Sequence, residues 1–452
     1  MRTLFVHQSF PGQYRHVAAA LAGRKGHQVA ALGEQRLGTI QGVRHFHYSK
    51  PEGAGDATHR YLRPLEASVR RGQAAARAAA ALKARGFEPD LVCCHPGWGE
   101  GLYLRDVFPK AKLLYYFEFF YSAHGADVGF ASDQPVGLDE AARVRTLNAN
   151  HLLCLEAADW GQTPTEWQRS RFPSWAQERI TVAHEGVDTD LAKRDPDARF
   201  TLPDGRSLGR EEEVVTFVAR GLEPYRGFPS FMRTLPEVLR LRPRAQVVIV
   251  GGDETQYGQR PASAPSWREE LLAEVGPQLD LGRVHFVGRI PHPQLRALFS
   301  ISAAHVYLTY PFVLSWSLIE AMASSCPVIG SATAPVQEVI RDGENGLLVP
   351  FGDEDFLKEK IITLLEDPRW AEDLAAAARQ TTIDRFDLQR VCLPRNVALL
   401  DAVASGKVQD LQDPDHSPTT ESGIEPETMC APDATVDVNR CRSHAKTEQG
   451  WS

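Results

Sequence analysis

The chain has 452 residues, of which 43% are hydrophobic and 24% charged, and a formal net charge of −8 at pH 7. That length calls for two or three domains, the acidic balance disfavours a dedicated nucleic-acid binder, and no run approaches the roughly 20 apolar residues of a membrane span. The opening MRTLFVHQSFPG lacks the apolar h-region and cleavage site of a secretory leader, and the seven cysteines are scattered without a CxxC pair, which reads as reduced thiols and a cytoplasmic location.

In chain order, RTLFVHQ (2–8) is predicted to be a buried strand, followed by a glycine turn and a helix, and HQVAALG (27–33) a second strand. Residues 63–86 are predicted to form a long Ala/Arg helix. PDLVCCH (89–95) and KLLYYFEFFYS (112–122) read as strands running into loops. The pattern restarts with strands at VVTFVARG (214–221), AQVVIVGGDE (245–254), RVHFVGRI (283–290), HVYLTY (305–310) and PVIGS (327–331), interspersed with helical runs. This β–α–β alternation implies parallel, doubly wound sheets. The expected fold class is therefore α/β, with two Rossmann-like domains facing a cleft and joined across the charged, turn-rich 184–212. Beyond residue 405 the composition shifts to Asp, Glu, Ser, Thr and Pro, with Trp451 as the only aromatic, and 406–452 is expected to be a disordered tail.

In open α/β sheets, ligands bind beyond the carboxyl ends of the strands. In VARGLEPYRGF, Arg220 and Arg226 stand six residues apart just after a strand. Two guanidiniums there suit a diphosphate, held by charge-assisted bidentate bonds; the plain alternative is a surface pair. In YPFVLSWSLIEAMASS a helix begins near Ser315, and its first-turn N–H groups form an anion site. Glu320 is the one carboxylate in this apolar run. It can accept bonds from vicinal hydroxyls such as those of a ribose, or simply sit as an acid near a helix N-terminus. The tripeptides DTD (188–190), DPD (195–197), DED (353–355) and DPD (413–415) do not follow strands in a way that would hold Mg²⁺ against a diphosphate, so no metal is expected. No P-loop occurs, and GGDE (251–254) is too weak for a dinucleotide fingerprint. The helix over 63–86 carries Arg63, Arg70, Arg71, Arg77, Lys83 and Arg85. Such a helix can make peripheral contact with an anionic membrane, although a solvated face is the plainer reading.

The segment LIEAMASSCPVIGSATAPVQEVIRDGENGLLVPFGD resembles the nucleotide-sugar-binding half of the GT-B-fold glycosyltransferases of family 4, a retaining family. VARGLEPYRGF is similar to their diphosphate-binding strand–loop, and VGRIPHPQLRALFSISAAHVYLTYP to their base-contacting one. HEGVDTDL (184–191) resembles the linker that ends the first domain, and FVHQSFPGQYRHVAAALAGRKGHQVAAL the glycine loop and first helix of the acceptor domain. The resemblance implies an acceptor domain over 1–188, a donor domain over 189–385, and a last helix, 386–403, that returns to the first domain. It implies that Glu320 holds ribose hydroxyls and that Arg220 and Arg226 neutralise the leaving diphosphate. It places backbone groups at Ile290 against the base, Ser315 and Trp316 facing sugar and phosphate, and Gly12 approaching the donor phosphate from the first domain. A UDP- or GDP-linked sugar is then the co-substrate, with no separate cofactor, and a glycan, lipid-linked or small-molecule hydroxyl is the acceptor.

Two positions depart from the family pattern. Phe312 stands where the family has the first glutamate of E-x7-E, which contacts the donor sugar. A possible cleft residue in its own right, it suggests a less polar donor face, as of a deoxysugar. Where many members have a cleft histidine after the strand matching LLYYF, this chain has Glu118, with His124 six residues on and His95, after the strand PDLVCCH, as a third candidate. The expected activity is retaining, metal-independent glycosyl transfer in glycan, polysaccharide or glycolipid synthesis. The alternatives are a catalytically weakened nucleotide-sugar binding protein and a nucleotide-sugar epimerase.

Overall fold

The computed structural model describes residues 1–34, 38–131 and 135–408. All but the first three residues of the expected tail, with Cys430, Cys441 and the DPD at 413–415, lie outside the described residues. The first sheet has seven parallel strands: β1 (Arg2–Val6), β2 (Gln28–Gly33), β3 (Val43–His47), β4 (Leu91–Cys94), β5 (Lys112–Tyr116), β6 (Trp160–Thr163) and β7 (Ile180–Val182). Their order is β3-β2-β1-β4-β5-β6-β7. A short antiparallel hairpin, β8 (Phe200–Thr201) with β9 (Ser207–Leu208), lies in the linker. The second sheet has six parallel strands: β10 (Val214–Gly221), β11 (Gln246–Gly252), β12 (Val284–Gly288), β13 (Ala304–Tyr307), β14 (Val328–Ser331) and β15 (Leu347–Val349). Its order is β12-β11-β10-β13-β14-β15. The molecule is thus α/β with two doubly wound, Rossmann-like sheets.

The central strands are apolar throughout because helices cover both faces of each sheet. Along β1 the two-residue period sends Leu4 and Val6 into one core and Phe5 into the other. Helix Leu393–Ser405 packs on the first sheet, where Leu399, Leu400 and Val403 meet Phe5 and Leu114. Asn396 ties it down, accepting a 2.6 Å bond from Gln162 and donating to the His184 carbonyl at 2.8 Å.

Several boundaries differ from the sequence reading, each for a local reason. The segment 112–122, read as a strand running into a loop, is strand as far as Tyr116; Phe117 N–H still reaches the Gln162 carbonyl at 2.7 Å, and the chain then turns Glu118 toward the cleft. The strand expected over 305–310 ends at Tyr307, and Thr309 N–H bonds the Ser331 hydroxyl at 3.0 Å. The helix expected over 386–403 begins instead at Leu393, after a wide turn over Leu388–Cys392 capped by Asp387. The helix Arg63–Ala84 is less of a free basic face than its sequence suggests. Arg71 is turned inward onto Glu34 at 3.0 Å, Arg70 pairs with Glu66 at 2.6 Å, and Lys83 donates to the Val107 carbonyl at 2.7 Å. No helix among the described residues is long and apolar enough to cross a membrane.

Candidate active site

The carboxyl ends of both sheets open onto one cavity of about 360 Å³ between the domains. The second domain supplies one wall. Arg226, in the turn after β10, is 9% exposed; its Nη1 donates to Thr309 Oγ1 at 2.8 Å. Gly227, at φ +67°, lets this turn press on β13, since a Cβ there would stand 2.4 Å from that of Leu308. Arg220 ends the same strand, is exposed, and lines the cavity with Arg226. These two cations are therefore brought together, one packed against Thr309 and one exposed.

The helix Trp316–Ala323 begins at the cavity wall. Ser315 caps it, its Oγ accepting from Ser317 N–H at 3.3 Å, while Ser315 N–H donates to the Tyr307 hydroxyl at 2.9 Å. The Trp316 indole N–H donates across the domain boundary to Glu185 Oε2 at 3.0 Å, and the Tyr116 hydroxyl donates to the other oxygen of the same carboxylate. Glu320, one turn further along, and Ile290 lie outside this cavity. Glu320 is partly buried beside His292, at 3.8 Å; burial raises its carboxyl above the usual range, against the opposing pull of His292 and Arg296.

The first domain supplies the opposite wall, centred on Glu118. The neutral imidazole of His7 accepts from Ser9 N–H at its Nδ1 (2.9 Å), so its proton sits on Nε2 and is donated to Gln13 Oε1 at 2.8 Å. That bond orients the Gln13 amide, whose Nε2 donates to Glu118 Oε1 at 3.3 Å. His95 Nδ1 likewise faces the N–H of Gly97 at 3.3 Å, which leaves its Nε2 proton pointing at Glu118 Oε2, 3.5 Å away. Burial pushes the Glu118 carboxyl up, but His95, His7 and Gln13 outweigh it and hold the group below its ordinary value. Burial, with the nearby His95, lowers His7 to about 3, so the His7 imidazole stays neutral at working pH. Gly12 is required beside it: at φ +46°, a Cβ would stand 2.5 Å from His7 Nε2.

His95 itself is buried, stacked on Trp98 at 4.4 Å and on Tyr116 at 5.5 Å, and stands behind Glu118 rather than in the cavity. His124 is exposed on a loop that borders a separate shallow depression with Phe130 and Pro311. The expectation that Phe312 faces the cleft is corrected. It is 8% exposed beneath Phe119 (4.7 Å), Tyr257 (5.1 Å) and Tyr225 (5.7 Å), and Tyr257 lines the cavity in its place. The DxD acids act as local caps: Asp188, Asp195 and Asp353 accept backbone N–H groups two or three residues on. Cys93, Cys94, Cys154, Cys326 and Cys392 are buried free thiols.

Gln13, Gln168, Glu185 and Tyr257 line the cavity without having been singled out in the sequence. Gln13 adjoins Gly12 and Glu185 lies within HEGVDTDL, so position could have flagged both. Tyr257 carries no such signal, because its place depends on a loop anchored from elsewhere.

Residues 25–192 match the model of the glycosyl transferase family 4 group, and residues 202–381 that of glycosyl transferases group 1. The GDP-mannose-dependent alpha-(1-6)-phosphatidylinositol monomannoside mannosyltransferase of Mycolicibacterium smegmatis is 28% identical over 270 residues, 59% of this chain and 65% of the relative. A D-inositol 3-phosphate glycosyltransferase of Nocardioides sp. is 28% identical over 207 residues, 44% of each chain. The chain thus spans less than two thirds of the length of these curated relatives. Among solved structures, sucrose-phosphate synthase from Thermosynechococcus elongatus superposes with a TM-score of 0.67 at 20% identity, over 91% of this chain and 98% of that one. Anabaena HepE in complex with UDP gives 0.60 at 16%, over 91% and 100%. At such identities the structures speak for the fold; the family models speak for the enzyme class. This chain belongs to glycosyl transferase family 4 and is built on the GT-B fold.

Proposed function

We propose that the protein moves a hexose from a nucleoside-diphosphate sugar to an acceptor hydroxyl, retaining the anomeric configuration and using no metal. The carrying observation is one cavity with Arg226, Arg220 and the start of helix Trp316–Ala323 on one wall and the anchored Glu118 carboxylate on the other. The diphosphate lies against the two arginines and the Ser315–Ser317 turn. As the bond from the anomeric carbon to the phosphate oxygen breaks, its electron pair goes to the phosphate, where these groups take up the charge. Glu118 faces the positive sugar centre from the first domain. The acceptor hydroxyl attacks from the face the diphosphate leaves, and its proton passes to the departing phosphate oxygen. Glu320 and Ile290, outside this cavity, hold the ribose and base where the donor extends beyond it.

The mannosyl and inositol-phosphate relatives support a mannosyl donor and an inositol-type acceptor in glycolipid synthesis. A thermal-shift screen with GDP, UDP, GDP-mannose and UDP-glucose, followed by donor hydrolysis on the best ligand, tests the reading. Stabilisation by a nucleotide sugar with slow turnover is expected; no shift with any of the four overturns it. Binding with no turnover, acceptor or not, favours the binding-protein alternative.

A further inference from the structure

The loop after β11 is held by a carboxylate from a neighbouring turn. Glu223 lies between β10 and Arg226, and its side chain is fully buried. Its Oε2 accepts the backbone N–H groups of Gln256, Tyr257 and Gly258 at 3.1, 3.0 and 3.0 Å. Successive N–H groups converging on one anion form the nest that elsewhere cradles a phosphate; here the anion belongs to the chain itself. Glu223 Oε1 has no hydrogen-bond partner among the described residues. The cost of burying this carboxylate is therefore offset chiefly by three charge-assisted bonds to one loop. Gly221 allows the close approach, since a Cβ there would stand 2.5 Å from the Glu254 carbonyl oxygen.

What the loop presents is Tyr257. The residue is 40% exposed and lines the cavity, its ring 5.1 Å from that of Phe312 and 5.4 Å from the Arg226 guanidinium carbon. We infer that Glu223 is a positioning residue for donor recognition: it fixes loop 254–258 so that Tyr257 forms the apolar wall of the donor-sugar subsite. The flat ring packs on the C–H face of a pyranose, an apolar contact that only the sugar part of the donor makes. An anchored tyrosine thus stands in front of Phe312, the position where the sequence placed sugar recognition. This inference rests on the proposed reading of the cleft as a nucleotide-sugar site.

The test compares wild type, E223A, E223Q, Y257A and Y257F by calorimetry with GDP, GDP-mannose, UDP and UDP-glucose, and by amide hydrogen exchange. In E223A the amides of Gln256, Tyr257 and Gly258 lose protection. E223A and Y257A each lower the affinity ratio of nucleotide sugar to nucleoside diphosphate about tenfold, while nucleoside-diphosphate affinity moves no more than threefold. E223Q, which still presents a carbonyl oxygen, falls between, Y257F stays near wild type, and the double variant E223A/Y257A is no worse than either single one. Should E223A not fold, E223Q and Y257A carry the comparison. Protected amides in the folded Glu223 variants, or an unchanged affinity ratio beside intact nucleotide binding, overturns the role of Glu223. If wild type binds none of the four ligands, the reading of the cleft fails first and this inference falls with it.

Discussion

Arg226 and Glu118 are the residues on which the proposed chemistry turns, and the molecule treats them differently. Arg226 is packed in place, with Thr309 on one side and the Tyr257 ring on the other. Its replacement by alanine removes transition-state charge stabilisation, and a fall in kcat/KM of about 10²- to 10³-fold is expected; steady-state kinetics at saturating acceptor shows it, and unchanged turnover would remove Arg226 from the mechanism. Glu118 is held by the side chains of Gln13 and His95. E118Q keeps the shape and loses the charge, so kcat should drop by about 10²-fold while donor KM stays within about threefold. An equal loss in both constants would mean that Glu118 binds donor rather than serving the reaction. Arg226 was legible because its neighbours in sequence carry a strand–loop pattern. The anchoring of Glu118 was not, since His7 and Gln13 reach it from the loop after β1 and His95 from the loop after β4, about 80 residues on.

Among elements, strand β13 illustrates how burial sets behaviour beyond the site. His305 lies on it, fully buried, bonded through Nδ1 to Thr216 Oγ1 at 2.9 Å. Burial lowers its pKa to about 3, and similarly lowers His151, on the helix Ala149–Ala157, to about 4. In the unfolded chain both titrate near the ordinary 6.5, so as pH falls from 6.5 toward 4 the unfolded state takes up protons that the native state refuses. Stability must therefore fall with pH across that window, by at most about 1.4 kcal/mol per pH unit for each group. Urea unfolding at pH 7, 6 and 5 should show the decline, with a shallower slope in H305Q whatever its absolute stability; identical slopes would refute the assignment. Helix Trp316–Ala323 makes the complementary point. Its apolar run and serine cap were readable in sequence, whereas the Trp316 bond to Glu185 joins residues 131 positions apart.

At the scale of the whole molecule, the two domains are latched through one aromatic cluster. Phe119 meets Phe312, and the Tyr225 hydroxyl donates to Asp127 at 2.8 Å. Elsewhere Glu338 of the second domain accepts the backbone N–H groups of Glu166 and Trp167, capping a helix of the first domain at 2.8 Å from each oxygen. Removing this cap in E338A should weaken closure by about 1 kcal/mol. Small-angle scattering of the ligand-free protein would then show a larger radius of gyration, and an unchanged curve would show that the cap does not hold the domains. Phe312 is harder to exchange. A glutamate there, the residue the family pattern calls for, would place a carboxylate among three aromatic rings, so F312E should unfold at lower denaturant than F312L. Equal midpoints would mean that the aromatic cluster is loose.

The amino-acid sequence by itself determined the fold class and the enzyme family. Parallel strands buried on both faces must be apolar, and their alternation with helices leaves few topologies open. It also determined which loops lie at strand ends, because topology places them there. Only the tertiary structure decided what those loops present to the cavity. Phe312 looked like a cleft residue because it aligns with one, yet Phe119, Tyr225 and Tyr257 come from three other loops to cover it. Side chains distant in sequence compete for the same few cubic ångströms, and that competition is settled by packing, which no local pattern records.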